Sequence, residues 1–199
     1  MNNDWVLYQH RPGLVLGFHG TEQKTVLQLV TRENAAHLKP SEGKNEWLGH
    51  GMYFWENDPQ RALEWAENGN PKKPIQEPDV LGAVIDLGLC LDLTSRTGLD
   101  EVAEAHATLA AIYDAVGFAL PQNMGGAEKL NRELDCQVIQ ALHEYRKDRG
   151  QPAYDSVRAP FPEAGELYPG AGFRMRNHIQ IAIINSKCIK GYFRPIRAK

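Results

Sequence analysis

Three side chains interrupt apolar runs in ways that could serve chemistry. His19 closes the run Leu14 to Phe18 in "LVLGFHGTEQ", Tyr53 sits in "GHGMYFW", and Gln180 lies between Ile179 and Ile181 in "HIQIAII". A strand-end histidine can bind a hydroxyl or move a proton. A tyrosine offers a flat stacking face. A glutamine offers an amide without charge. Each also has a purely structural use: a satisfied strand-end ring, a core aromatic with its hydroxyl tied down, and a residue turned to solvent by period-two alternation. The chain carries no Walker-type phosphate loop, no Gly-x-Ser-x-Gly elbow and no His-Glu-x-x-His. Its seven histidines are scattered, and none stands at ligand spacing from another histidine, a cysteine or a carboxylate, so metal chemistry is not expected.

The elements that must hold these groups follow from pattern. A length of 199 residues suits one domain, residues 1–199, with an ordinary globular composition. A net charge of -3 is not the basic footprint of a general nucleic-acid binder. No uncharged apolar run nears membrane-spanning length, and "MNNDWVLYQHRPG" is not the pattern of a signal peptide. Cys90, Cys136 and Cys188 lie far apart, as reduced thiols in a cytoplasmic protein would.

A strand ending at His19 is expected, followed by a helix capped by Thr21 over "TEQKTVLQLVTREN". "GMYFW" reads as a strand. "NDPQRALEWAEN" opens with Asp58 as cap and Pro59 at the first helical position. A proline-rich loop, residues 69–79, leads to the strand "VLGAVIDLG". Two long helices follow, "GLDEVAEAHATLAAIYDAVG" and "EKLNRELDCQVIQALHEYRKDRG". "AYDSVRA" is a strand, residues 160–172 a Pro- and Gly-rich loop, and "HIQIAII" and "CIKGYF" the closing strands. Strands at both ends with helices between them make an α+β class, not a βαβα alternation. Gly49-His50-Gly51 is no dinucleotide fingerprint, because it precedes a strand.

Taken together, "GFHGT", "GHGMYFWENDPQRALEWA" and "HIQIAI" resemble the three signature blocks of the ADP-ribosyltransferase superfamily, in its diphtheria-toxin and poly(ADP-ribose)-polymerase branch with a His-Tyr-Glu triad. The resemblance covers the ends of the chain; residues 95–150 match only as a helical insertion. It implies a split antiparallel β core and a reaction that cleaves NAD through an oxocarbenium-like state. It implies that His19 holds a ribose, that the Gly20 backbone pairs with the carboxamide, and that Tyr53 stacks on nicotinamide. Thr21, Phe54 and Trp65 then complete the NAD site, Trp65 as its opposite wall. The sequence departs from the family at the third position, where Gln180 replaces a glutamate.

The neutral Gln180 implies transfer of single ADP-ribose units and not polymer formation. The alternative is a catalytically inactive module that binds NAD or ADP-ribose. Glu163 or Glu166 could supply the missing carboxylate, and with Tyr168 and Phe161 they would form an acceptor loop just before the Gln180 strand. The resemblance thus implies NAD as substrate, no metal, a protein or nucleic-acid acceptor, no membrane partner, and a cytoplasmic toxin or defence factor. A toxin would bring a neutralising partner protein. The branch with an Arg-Ser-Glu triad is set aside, since no Ser-Thr-Ser strand or Glu-x-Glu element occurs.

Overall fold

A computed structural model describes residues 13–31, 37–69, 73–126 and 128–196. Most of "MNNDWVLYQHRPG", the end of the first expected helix and residues 70–72 of the 69–79 loop lie outside these residues. The described chain is a mixed α+β fold with four helices and one seven-stranded sheet. The strands are β1 (Leu14–Glu22), β2 (Met52–Glu56), β3 (Pro78–Asp86), β4 (Cys90–Asp92), β5 (Ser156–Glu166), β6 (Arg174–Ile183) and β7 (Ile189–Phe193). The helices are α1 (Gln23–Val30), α2 (Pro59–Asn68), α3 (Arg96–Ala115) and α4 (Glu133–Asp148). Among these described residues, no helix is long and apolar enough to cross a membrane.

The sheet runs β4-β5-β6-β2-β1-β3-β7. Its pairs are antiparallel except β4 with β5. The β1–β3 ladder is continuous from Leu14↔Asp86 to Glu22↔Pro78. The β1–β2 ladder is short, with only Gly17↔Glu56 and Phe18↔Trp55 in register. Beyond Phe18 the two strands part. There the His19 ring takes over the ladder's work, its Nδ1 lying 2.8 Å from the Tyr53 carbonyl oxygen. The sheet is therefore two ladders joined by a narrow seam, and His19 stands at the opening.

Period-two alternation divides the side chains between the faces. Phe54, Leu81, Ala83, Ile85, Ile181 and Ile183 form one core with Val26 and Leu29 of α1. On the other face Phe18, Trp55 and Val80 pack under Ala62 of α2. Further along that face Val157, Ala159, Phe161 and Ala182 meet Ala105 of α3 and Val138, Ile139 and Leu142 of α4. Fully burying one such aliphatic or aromatic side chain is worth about 1.5–3 kcal/mol.

Asp58 and Pro59 start α2 as their types predict, the Asp58 carboxylate accepting from Arg61 N at 2.9 Å. Three expectations need correction. Thr21 is not a cap; it belongs to β1, which continues through His19 to Glu22 because β3 pairs along its whole length. The 160–172 loop is largely strand, because β5 runs to Glu166 against β6 and only the turn around 167–173 connects them. Pro160 and Pro162 are tolerated at this position despite their missing donors, and the bulge between Glu163 and Glu166 absorbs Ala164 at φ 62°. Finally, Phe161 is buried and so is no exposed platform. The three cysteines are free and buried.

Candidate functional site

Gly20 shows why β1 and α2 can approach each other. A Cβ built there would lie 2.0 Å from the Ala62 carbonyl oxygen and 3.1 Å from the Ala66 Cβ. Only glycine fits beneath that helical turn. Its neighbour His19 is half-buried, and burial holds its pKa below the ordinary value, opposed in part by the bond to the Tyr53 carbonyl. A neutral ring whose Nδ1–H donates to that carbonyl leaves Nε2 as an acceptor.

Tyr53 points elsewhere. Its hydroxyl donates to the Gly49 carbonyl at 2.6 Å and accepts from Leu48 N at 2.8 Å. Burial pushes the phenol well above its usual range. The ring thereby ties the 48–53 turn to the α4 side of the sheet, against Leu48 and Ala182. Phe54 is wholly buried in the opposite core. Thr21 is half-buried in β1 opposite Asp79. Trp65 is partly exposed on α2, its ring centroid 6.0 Å from Trp55 and 6.4 Å from His19.

Gln180 pairs in register with Trp55 on β2 and Ala159 on β5. Its amide nitrogen lies 3.1 Å from His178 Nε2, and His178 Nδ1 lies 3.1 Å from the Arg176 carbonyl oxygen. Burial lowers the His178 pKa, with Glu163 and Asp58 pulling it up and Arg61 pushing it down. Glu163 is buried, and its carboxylate accepts from Arg61 Nη2 at 2.9 Å. Glu166 is spent locally on the Gly170 amide at 2.8 Å. Tyr168 stands exposed at the tip of the β5–β6 arm.

The structure thus brings His19, Trp65, Gln180 and Glu163 into one neighbourhood with Trp55, Arg61 and His178. Tyr53, Phe54, Glu166 and Tyr168 turn to other surroundings. Beside this neighbourhood, α2 and the base of the arm enclose a cleft of about 490 Å³, lined by Asp58, Arg61, Glu64, Arg176 and Asn177 among others. Arg61 lies with its guanidinium carbon 5.7 Å from the centre of the Trp55 ring. Two buried donors, Arg61 Nε and Trp55 Nε1, have no hydrogen-bond partner among the described residues. Glu64 is half-buried, shares the Arg61 face of α2 at i,i+3, and has no ion pair among the described residues.

Sequence reasoning missed Arg61, Glu64 and His178. His178 was within reach, since it lies two residues before Gln180 and alternation puts both on one face. Arg61 meets Glu163 across 102 positions, and no local pattern announces that.

No family model matches the chain, and no solved structure does. A curated relative, the UPF0173 metal-dependent hydrolase of Pyrobaculum islandicum, is 27% identical over 127 residues. The match takes in 57% of this chain and 56% of the relative, so the chain spans little more than half of that protein's length. This likeness overturns the resemblance to ADP-ribosyltransferases. The expectations of NAD as substrate, of ADP-ribosyl transfer or its inactive NAD-binding counterpart, of a toxin role and of chemistry without metal are corrected with it, because the relative is named for a different reaction and a metal. The three-block pattern misled because His19, Gly20 and Tyr53 each answer a packing need: a broken ladder, a close helix and a turn. Among the described residues, no group of three His, Cys, Asp or Glu side chains is placed to hold a metal ion. The residues described do not fit such a group.

Proposed function

We propose that the chain is a hydrolase of a small ester that carries negative charge beside the scissile bond, such as a phosphoester, bound in the cleft between α2 and the β5–β6 arm. One observation carries the reading. Arg61, anchored by buried Glu163, has an Nε without a partner among the described residues and shares the cleft with Glu64, whose carboxylate has no ion pair among them. The hydrolase name of the partial relative supports the reaction class and nothing finer.

Arg61 and Arg176 would bind the anionic oxygens, and a guanidinium is suited to that by its planar fork of donors. Glu64 would accept a proton from water as the water oxygen attacks the phosphorus or carbonyl centre. The proton then passes to the departing alkoxide, which restores the carboxylate. A positioned base of this kind contributes roughly 10²–10⁴-fold. Glu163 acts on Arg61, not on substrate, and is a positioning residue.

The test is hydrolysis of bis(4-nitrophenyl) phosphate against the neutral ester 4-nitrophenyl acetate, each with divalent ions added and with chelator. The reading expects enzyme-dependent release from the phosphodiester, lost in Arg61→Met. Release from neither ester, or release unchanged in Arg61→Met, contradicts it.

A further inference from the structure

A second cleft, of about 560 Å³, opens over β5 further along the same sheet face, between α3 and α4. Its size is that of a small-molecule site. The walls are apolar: Leu93, Leu99, Val102 and Val138 among them, with Phe161 at the base. Leu99 is left half exposed at the rim.

One charged group dominates this cavity. Arg132 lies with its guanidinium carbon 4.2 Å from the centre of the Trp47 ring and 5.0 Å from that of Phe161. The two rings are themselves tilted at 59° with centroids 4.9 Å apart, and Trp47 is pinned by its indole N–H to the Leu130 carbonyl at 3.0 Å. The cation is therefore held on an aromatic platform at the cleft.

Its hydrogen bonds are poor. Nη1 to Asp135 and Nη2 to the Glu128 carbonyl are both 3.5 Å, at the outer limit for such bonds. Nε is buried and has no partner among the described residues. Asp135 is committed more tightly to Asn123 Nδ2, at 2.6 Å. Three amides in the first turn of α4 are also taken: Leu134 N and Asp135 N both donate to Asn123 Oδ1, and Cys136 N donates to the Arg132 carbonyl. Arg132 thus brings to this cleft a charged donor with capacity to spare among the described residues. His106, on α3, is the other titratable group on the lining besides Asp135.

A buried N–H without an acceptor costs stability unless something supplies one. We propose that the α3/α4 cleft is a binding site for a small molecule with an apolar body and a single carboxylate, its tail between Val102, Val138 and Phe161 and its carboxylate on Arg132. A guanidinium–carboxylate contact is charge-assisted, about twice as strong as a neutral one. The carboxylate therefore sets the preference, and the apolar walls set the size.

The experiment is isothermal titration with decanoate, decan-1-ol and decyltrimethylammonium, in wild type, Arg132→Leu and Ala103→Phe. Ala103 lines the cleft yet is exposed, so the larger side chain blocks the cavity without entering the core. Circular dichroism checks that each variant is folded, and Arg132→Gln replaces Arg132→Leu if the latter is not. Decanoate is expected to bind at least tenfold tighter than decan-1-ol. Loss of the arginine should bring the two to the same affinity, and Ala103→Phe should weaken both at least tenfold. No decanoate binding, a preference unchanged without Arg132, tighter binding of the cation, or full affinity in Ala103→Phe overturns the proposal.

Discussion

The pair of Arg61 and Glu163 offers the sharpest separation of stability from function. Their side chains retain 13% and 10% of their exposure, and the contact is 2.9 Å. Removing one partner of a buried pair strands the other charge in a low-dielectric setting, which costs about 3–5 kcal/mol. Glu163→Ala leaves Arg61 against Trp55, with Nε still without a partner among the described residues. The slight residual exposure admits some water, so the low end applies, about 3 kcal/mol. In a chain of this length each kcal/mol moves Tm by roughly 2–4 °C, so Glu163→Ala should melt roughly 6–12 °C below wild type. The double variant Arg61→Met/Glu163→Leu replaces both charges with apolar groups of similar volume and should lie within about 1 kcal/mol of wild type. It should fold and yet fail to hydrolyse the phosphodiester. Scanning calorimetry on the wild type, both single variants and the double closes the cycle. A double variant as unstable as Glu163→Ala, or a Glu163→Ala variant melting with wild type, would refute the reasoning.

Gly20→Ala forces a Cβ against the Ala62 carbonyl, and overpacking of this sort costs about 1–3 kcal/mol; the urea midpoint should fall, and an unchanged midpoint would mean that α2 is not held there. Tyr53→Phe leaves the Leu48 amide and the Gly49 carbonyl without their bonds, at about 1–3 kcal/mol per buried group, so its thermal midpoint should drop while the far-ultraviolet spectrum stays the same. His143 is pushed from 6.5 down to about 4, chiefly by burial and then by Arg146. Above pH 6.5 the ring is neutral folded or unfolded. As pH falls from 6.5 toward about 4 the unfolded chain takes up a proton that the folded chain refuses, so stability is lost through that window. His143→Leu should flatten this part of the stability-against-pH curve, and a slope identical to wild type would exclude His143 as its source.

The fold was legible where local chemistry settles an element. Asp58-Pro59 marks the start of α2 and the alternation in "HIQIAII" marks β6, because capping and side-chain period are written within a few residues. It was not legible where partners from afar decide. β5 continues through Pro160 and Pro162 because β6 lies alongside, and β1 outlasts His19 because β3 pairs with it to Glu22. Pro and Gly in "APFPEAGELYPGAGF" read as a loop by composition, and tertiary pairing overrides them. The site divides in the same way. Gln180, Glu163 and Trp65 stand near the cleft, but the group that organises it, Arg61, is visible only once α2 meets β5. The three-block likeness failed for a related reason. His-Gly after a strand is what a parting ladder under a close helix requires, whatever the chemistry.

The central claim is that Glu64 activates water in the cleft between α2 and the arm. Glu64→Gln is nearly isosteric at a half-buried position without an ion pair among the described residues, so the fold should be untouched. Steady-state hydrolysis of bis(4-nitrophenyl) phosphate by wild type and Glu64→Gln decides the matter. The account predicts a fall in kcat of roughly 10²-fold or more with KM little changed, as loss of a general base requires. Equal kcat in the two proteins would contradict it.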